Sequence, residues 1–185
     1  GYGRMRQTKG AIGNLLNRYK AVLKKCHLLN TFGSLAVASM LVMGGAGVAK
    51  ATDYTLDKDR TTQLVIANEN STLELNGHNI NTGTEDAIEV EDGKLVISDS
   101  SNSGKISSQH AGIYIESNNG ISEVIVNSGT IEAFGPTSNP PAAILLWPTN
   151  SKAIVTINGG IIRSNTYAIT GNGDNHDITE INING

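Results

Sequence analysis

Five carboxylates in the middle of the chain form the densest group of side chains that could do chemistry. They are Glu85, Asp86, Glu89, Glu91 and Asp92. Carboxylate oxygens are the ligands that Ca²⁺ prefers in proteins. The group has none of the fixed spacing of a calcium-binding loop, however. We therefore interpret it as a solvated acidic surface, and we predict no metal and no other cofactor.

The remaining titratable residues show no catalytic spacing. His78 lies in an Asn-Gly-His-Asn phrase, where a structural role at a corner is expected. His110 and His176 have no second ligand at the spacing of a metal site, and residues 174–177 are interpreted as a polar loop. Arg163 follows two isoleucines and is predicted to pair with an acid in a neighbouring turn of the chain. We predict no catalytic residue.

Aromatic side chains could bind sugars by stacking. Tyr114 points outward by alternation, and Trp147 ends an apolar run just before Pro148. Tyr167 precedes a further apolar run. Glycan contact through Tyr114 and Trp147 is one interpretation. In the alternative, Trp147 covers the proline-rich loop 135–141.

A short phrase recurs along the chain and indicates the elements that would position these residues. It runs apolar-x-apolar-Asn, then a turn with glycine, then isoleucine, at 73–80, 124–131 and 155–162, and it begins again at 181–185. A strand, a turn and a second strand repeated in this way are typical of a stacked coil. Its asparagines are predicted to occupy equivalent corners and to bond one another: Asn76, Asn127, Asn158 and Asn184. Positive φ is expected at Gly77, Gly129 and Gly159.

Two interleaved apolar series support the same architecture. In the first, the inward positions are residues 75, 97, 126, 157 and 183. The second consists of Ile88, Ile113, Ile144 and Ile169. Stacking would align each series into an inward ladder, while the residues between point outward, namely Glu89, Tyr114, Leu145 and Thr170. The sequence therefore predicts an all-β parallel solenoid over residues 61–185.

Charge divides the chain into two parts. All 17 acidic residues lie at or after Asp53 and eight of the 14 basic residues lie before it, so residues 1–51 carry +8 and residues 52–185 carry −11. A basic stretch, an apolar run and small residues follow one another in residues 1–51, which is the order of a helical secretory signal. We predict cleavage between Ala51 and Thr52, with 52–60 as a short lead-in; a retained membrane helix is the alternative. The charge of −11 disfavours nucleic acid as a partner.

Cysteine usage and the interrupted last phrase add two expectations. The only cysteine, Cys26, lies in the predicted signal, so the exported part would contain no disulfide. The last phrase stops at Gly185 without its second strand. A solenoid needs a terminal cap, so we expect the solenoid to be truncated here and the full protein to be longer.

The phrase Leu-x-Leu-Asn-Gly-His-x-Ile at 73–80 and its later copies resemble right-handed parallel β-helix proteins of the pectate-lyase-like class, in particular passenger regions of bacterial autotransporters and surface adhesins. The resemblance implies an exported module at the cell surface or outer membrane that presents a rigid face to host or matrix glycans or proteins. It implies membrane contact only through the signal peptide or a C-terminal translocator.

Two alternatives stay open. One is a secreted polysaccharide lyase or glycoside hydrolase with catalytic coils beyond residue 185, although the paired aspartates and Gly-His-Gly of the hydrolase branch do not occur here. The other is a Gram-positive wall protein, in which a sorting signal replaces the translocator.

Overall fold

The computed structural model describes residues 50–171 and 178–185, and every regular element in these ranges is a β-strand. The strands are β1 (Lys50–Thr55), β2 (Leu64–Ala67), β3 (Glu69–Glu74), β4 (Asn79–Asn81), β5 (Ile88–Glu91), β6 (Lys94–Ser98), β7 (Lys105–Ser108), β8 (Ala111–Ser117), β9 (Ser122–Val126), β10 (Thr130–Ala133), β11 (Ala142–Pro148), β12 (Lys152–Ile157), β13 (Ile161–Ser164), β14 (Tyr167–Gly171) and β15 (Ile178–Ile183). The all-β prediction is confirmed for these ranges. The predicted signal segment up to residue 49, with Cys26, and the loop 174–177, with His176, lie outside them.

The strands form three sheets in which every pairing is parallel. The six-stranded sheet has the order β1-β3-β6-β9-β12-β15, the five-stranded sheet β14-β11-β8-β5-β2 and the four-stranded sheet β13-β10-β7-β4. From β2 onward, the chain visits the five-, six- and four-stranded sheets in turn and then repeats the cycle. Parallel strands stacked in this way are consistent with the β-helix that the repeated phrase predicts.

The inward ladder of the five-stranded sheet matches the prediction. Ile88, Ile113, Ile144 and Ile169 are in register from β5 to β14, and Leu64 of β2 extends the ladder by one strand. Ile88, Ile113 and Ile144 are fully buried. Each such side chain contributes about 1.5–3 kcal/mol by leaving water, so the ladder is a main source of stability.

One position of the first predicted series is wrong. Leu73, not Leu75, is in register with Ile97 of β6. Leu75 lies instead in the turn after β3, fully buried. A Cβ at Gly104 would lie 2.8 Å from the Leu75 Cβ, and one at Gly129 would lie 3.1 Å from the Leu75 Cδ1. The turn therefore encloses an extra leucine because its two neighbours lack side chains.

The asparagine corner is confirmed for three of its four predicted members. Asn158 Nδ2 donates to Asn127 Oδ1 at 2.9 Å, and Asn184 Nδ2 donates to Asn158 Oδ1 at 2.8 Å. Asn76 is not equivalent, because Leu73 takes the register position two residues earlier. Its side chain donates to the Leu56 carbonyl at 3.4 Å, and its φ is +51°.

The glycine prediction holds at two turns and shifts by one residue at the third. Gly77 and Gly129 have φ of +79° and +95°, as expected. In the next turn the positive φ, +93°, belongs to Gly160 rather than Gly159. A Cβ on Gly160 would also lie 2.5 Å from the Gly129 carbonyl oxygen, so this corner requires glycine for two reasons.

The strand series begins before residue 61. Thr52–Thr55, expected as lead-in, belong to β1, and the predicted cleavage point lies inside this strand. Thr52 Oγ1 and the Tyr54 hydroxyl donate to the buried Glu69 carboxylate at 3.0 and 2.8 Å. Burial opposes ionisation of Glu69, but these hydrogen bonds hold its pKa below the usual range. A chain that begins at Thr52 would retain both bonds.

Candidate functional site on the five-stranded sheet

Alternation along β5, β8 and β11 places two rows of side chains on the outer surface of the five-stranded sheet. The inward residues of these strands are buried, so the residues between them point outward, as predicted. The first row is Glu89, Tyr114 and Leu145, and the second is Glu91, Glu116 and Trp147. Successive strands lie about 4.8 Å apart, so each row is continuous. We call these six residues the five-stranded face.

The two aromatic residues of the glycan interpretation lie together on this face. Trp147 is in register with Glu116, and Tyr114 lies on the same strand as Glu116 in the adjoining row. Trp147 is 40% exposed and Tyr114 is half-buried. Tyr167 is also exposed, but it lies at the start of β14, in register with Ala142, which is five residues before Trp147 on the adjacent strand β11. Tyr114 and Trp147 therefore belong to the same face of the sheet, and Tyr167 lies outside it.

Two carboxylates of the face have no partner among the described residues. No hydrogen bond or ion pair reaches the side chains of Glu89 or Glu116 there. Burial, and then the charges of Glu116, Asp86 and Glu91, raise the pKa of Glu89. Burial and the charges of Glu116, Asp86 and Glu89 also raise the pKa of Tyr114 to about 12. The face thus concentrates negative charge around an aromatic ring.

Asp92 of the acidic cluster has a structural role. The Asp92 carboxylate accepts the backbone N–H groups of Asn118, Asn119 and Gly120 at 2.8–3.1 Å, which fixes the loop after β8. Burial opposes its ionisation, but these N–H groups lower its pKa. Among the described residues, no three His, Cys, Asp or Glu side chains meet as a metal site would require.

His110, for which the sequence indicated no second metal ligand, has an acidic partner. Its Nδ1 lies 2.6 Å from Asp86 Oδ1, and the same oxygen accepts the Ala111 N–H at 3.1 Å. Asp86 precedes β5 and His110 precedes β8, so adjacent coils bring them together. His78 lies 3.6 Å from Asp59 at the corner predicted for it. Both histidines therefore contact a neighbouring coil.

Replacing Glu89 by glutamine is expected to stabilise the protein slightly at pH 7. A carboxyl group with a raised pKa in the folded state costs stability once it ionises, so the gain should appear above the folded pKa and vanish as the pH falls towards 4. Solvent screening keeps the gain below about 1 kcal/mol.

Urea unfolding at pH 7 and pH 4 measures this gain in the free energy of unfolding. Glu123→Gln is the matched control. Glu123 Oε2 lies 3.2 Å from Lys94 Nζ, so this variant should be less stable than the wild type at pH 7. Destabilisation by Glu89→Gln at pH 7 would contradict the prediction.

Arg163 pairs with an acid of the neighbouring coil, as predicted. Its Nε and Nη2 donate to Glu132 Oε2 at 2.9 and 2.7 Å. Sequence reasoning missed Glu132 and the exposed Phe134 near it. The isoleucines of the four-stranded sheet could have revealed Glu132, because each inward isoleucine is followed by a residue that points outward. The outward residues are Asn81, Ser107, Glu132 and Arg163.

Within the described ranges, no helix is long and apolar enough to cross a membrane. Comparisons with protein-family models, with curated proteins and with solved structures gave no match for this chain.

Proposed function

We propose that this chain is a non-catalytic module, exported to the bacterial cell surface, that binds glycans through the five-stranded face. In this proposal the parallel sheets form a right-handed β-helix of the pectate-lyase-like class, resembling an autotransporter passenger or adhesin. The export rests on the charge, apolar run and small residues of 1–51. Trp147 and Tyr114 beside unpartnered carboxylates are the observation that carries the binding role.

The chemistry of the face suits a sugar chain. Aromatic rings with one exposed side stack on the C–H faces of pyranoses, and carboxylates accept hydrogen bonds from adjacent hydroxyl groups. The two rows run from coil to coil, which suits an extended ligand. Glu89, Glu91 and Glu116 would repel polyuronates, so we propose neutral glycans. No observation on the described residues favours the lyase or hydrolase alternative.

An array of immobilised oligosaccharides tests the proposal. The wild-type chain is expected to bind neutral glycans, and the double variant Tyr114→Ala/Trp147→Ala is expected to lose at least about fivefold in affinity, since each stacked ring contributes about 0.5–1.5 kcal/mol. Tyr167→Ala is the matched control, because Tyr167 is an exposed aromatic residue of the same sheet outside the face.

Three results would contradict the glycan role. The first is binding that the double variant leaves unchanged, and the second is a preference for acidic glycans. The third is an absence of glycan binding together with capture of matrix proteins spotted on the same array, which would assign the face to a protein partner.

A further inference from the structure

A pocket of about 250 Å³ opens on the outer side of the four-stranded sheet, away from the five-stranded face. Its lining includes Asn81, Ser107 and Glu132, which are in register on β4, β7 and β10, together with Gln109 and Phe134. The isoleucine that directly precedes each of the three strand residues is buried, so by alternation the row itself faces solvent. The pocket therefore combines amide, hydroxyl, carboxylate and aromatic groups. We call it the Phe134 pocket.

The carboxylate of this pocket is held in one orientation. Glu132 Oε1 accepts the Ser107 hydroxyl at 2.9 Å, and its Oε2 accepts both donors of Arg163. Burial opposes its ionisation, but hydrogen bonds from Arg163 and Ser107 and the charge of Lys105 lower its pKa. A carboxylate has about four acceptor sites, so three donors leave roughly one for a ligand. Arg163 also balances the charge of Glu132, so neither sign dominates the pocket.

The aromatic residue is exposed but anchored. Phe134 is 49% exposed, and its backbone N–H donates to the Ser108 carbonyl at 3.0 Å. Asn165 donates to the Gly135 carbonyl at 2.9 Å and accepts the Gly135 N–H at 3.2 Å. A Cβ on Gly135 would lie 1.9 Å from the Gln109 carbonyl oxygen, so the two backbones are in close contact. The backbone that carries Phe134 is thus held beside Gln109 before any ligand arrives.

We propose that the Phe134 pocket binds a single neutral pyranose, such as the terminal residue of a glycan. Phe134 would stack on one face of the ring, the exposed amides of Asn81 and Gln109 would bond its hydroxyls, and Glu132 would accept one hydroxyl. The volume lies below the roughly 300–1,000 Å³ of pockets for drug-sized ligands, which suits one ring. Glu132 disfavours an acidic sugar, and Arg163 and Lys105 disfavour a cationic one. This site does not depend on the function proposed above.

Saturation-transfer NMR on the full chain tests the pocket. The probes are the methyl glycosides of glucose, galactose, mannose and N-acetylglucosamine, with methyl glucuronide and methyl glucosaminide as charged comparisons. At least one neutral glycoside is expected to bind with a millimolar Kd. Phe134→Ala should raise that Kd by about two- to twelvefold through the loss of one stacked ring, and Gln109→Ala should raise it by about threefold. Circular dichroism checks that both variants keep the wild-type fold.

The double variant Tyr114→Ala/Trp147→Ala separates the two sites. It should leave the Kd of the neutral glycoside within about twofold, even though it weakens binding to the five-stranded face. Loss of monosaccharide binding in this variant would contradict the proposal for the Phe134 pocket but would leave the proposed function intact. The absence of binding by all four neutral probes would overturn it too. So would tighter binding of a charged probe, or a Kd that Phe134→Ala does not change.

Discussion

Asp99→Ala is expected to lower the free energy of unfolding by about 3 kcal/mol at pH 7. The Asp99 carboxylate is 2% exposed and lies in the long turn between β6 and β7. Its Oδ1 accepts the Gly77 N–H at 2.8 Å, and its Oδ2 accepts the Gly104 N–H at 2.6 Å. Alanine would leave these two N–H donors without an acceptor. Each buried donor that water cannot reach lowers the stability by about 1–3 kcal/mol. Urea unfolding followed by circular dichroism measures the loss.

The pH dependence of this effect has a definite sign. Burial opposes ionisation of Asp99, but the N–H groups of Gly104 and Gly77 outweigh it and hold its pKa below the usual range. A lowered carboxyl pKa gives stability that is full above the unfolded value, about 3.9, and that is lost as the pH falls through the folded value. The difference between wild type and Asp99→Ala should therefore shrink below about pH 4.

The exposed Asp57 provides the control for Asp99. Asp57→Ala should change the free energy of unfolding by less than about 0.5 kcal/mol at any pH. A loss below about 1 kcal/mol for Asp99→Ala, or a difference that grows at low pH, would show that the turn does not depend on this carboxylate.

Regular coils were predictable from the sequence because their turns have constant length. Val126 to Ile131 and Ile157 to Ile162 both span five residue steps, so the apolar pattern keeps its phase and the asparagine ladder follows from it. The isoleucine ladder around Ile113 was predictable because each of its strands repeats the same alternation of inward and outward residues, although the turns before these strands differ in length. The outward positions of Glu89 and Tyr114 follow from it by alternation.

The first coil was mispredicted where its turn is longer. The segment from Leu73 to Ile80 spans seven residue steps. Its sequence still matches the repeated phrase, because Leu75 stands at the position that an inward residue has in the other copies. In the true register, Leu75 packs close to Gly104 and Gly129, which come from two later coils. Such a contact depends on which coils stack, so no local pattern reveals it.

The candidate sites were predictable only in part. Tyr114 and Trp147 were found because each belongs to a regular strand of the five-stranded sheet. Phe134 was missed because it follows β10, in a loop whose path depends on Asn165 of the next coil. Pairing of Asp86 with His110 was missed for a similar reason, since both residues precede their strands. The partners of loop side chains come from adjacent coils, so they depend on how the coils stack. The local sequence does not determine that stacking.

Ile113→Ala is expected to cost about 4 kcal/mol, the largest effect of any substitution considered. Ile113 is fully buried between Ile88 and Ile144, so alanine would remove its methyl groups from contacts on both sides and leave a cavity. Substitutions of this kind cost about 2–5 kcal/mol, depending on how far the surroundings relax. Stacked repeats contact mainly their neighbours, so the central coils hold the two ends of the stack together.

Ile169 offers a matched test of this argument on the same ladder. It is in register with Ile144 but only partly buried, because the described strands cover it on one side. Ile169→Ala removes the same atoms and should cost only about 1–2 kcal/mol, in proportion to the smaller apolar area that it buries. Urea unfolding of both variants at pH 7, compared at constant m-value, separates the two costs. Equal losses would show that stability does not depend on coverage from both neighbouring coils, and the stacked-coil account of the ladder would then fail.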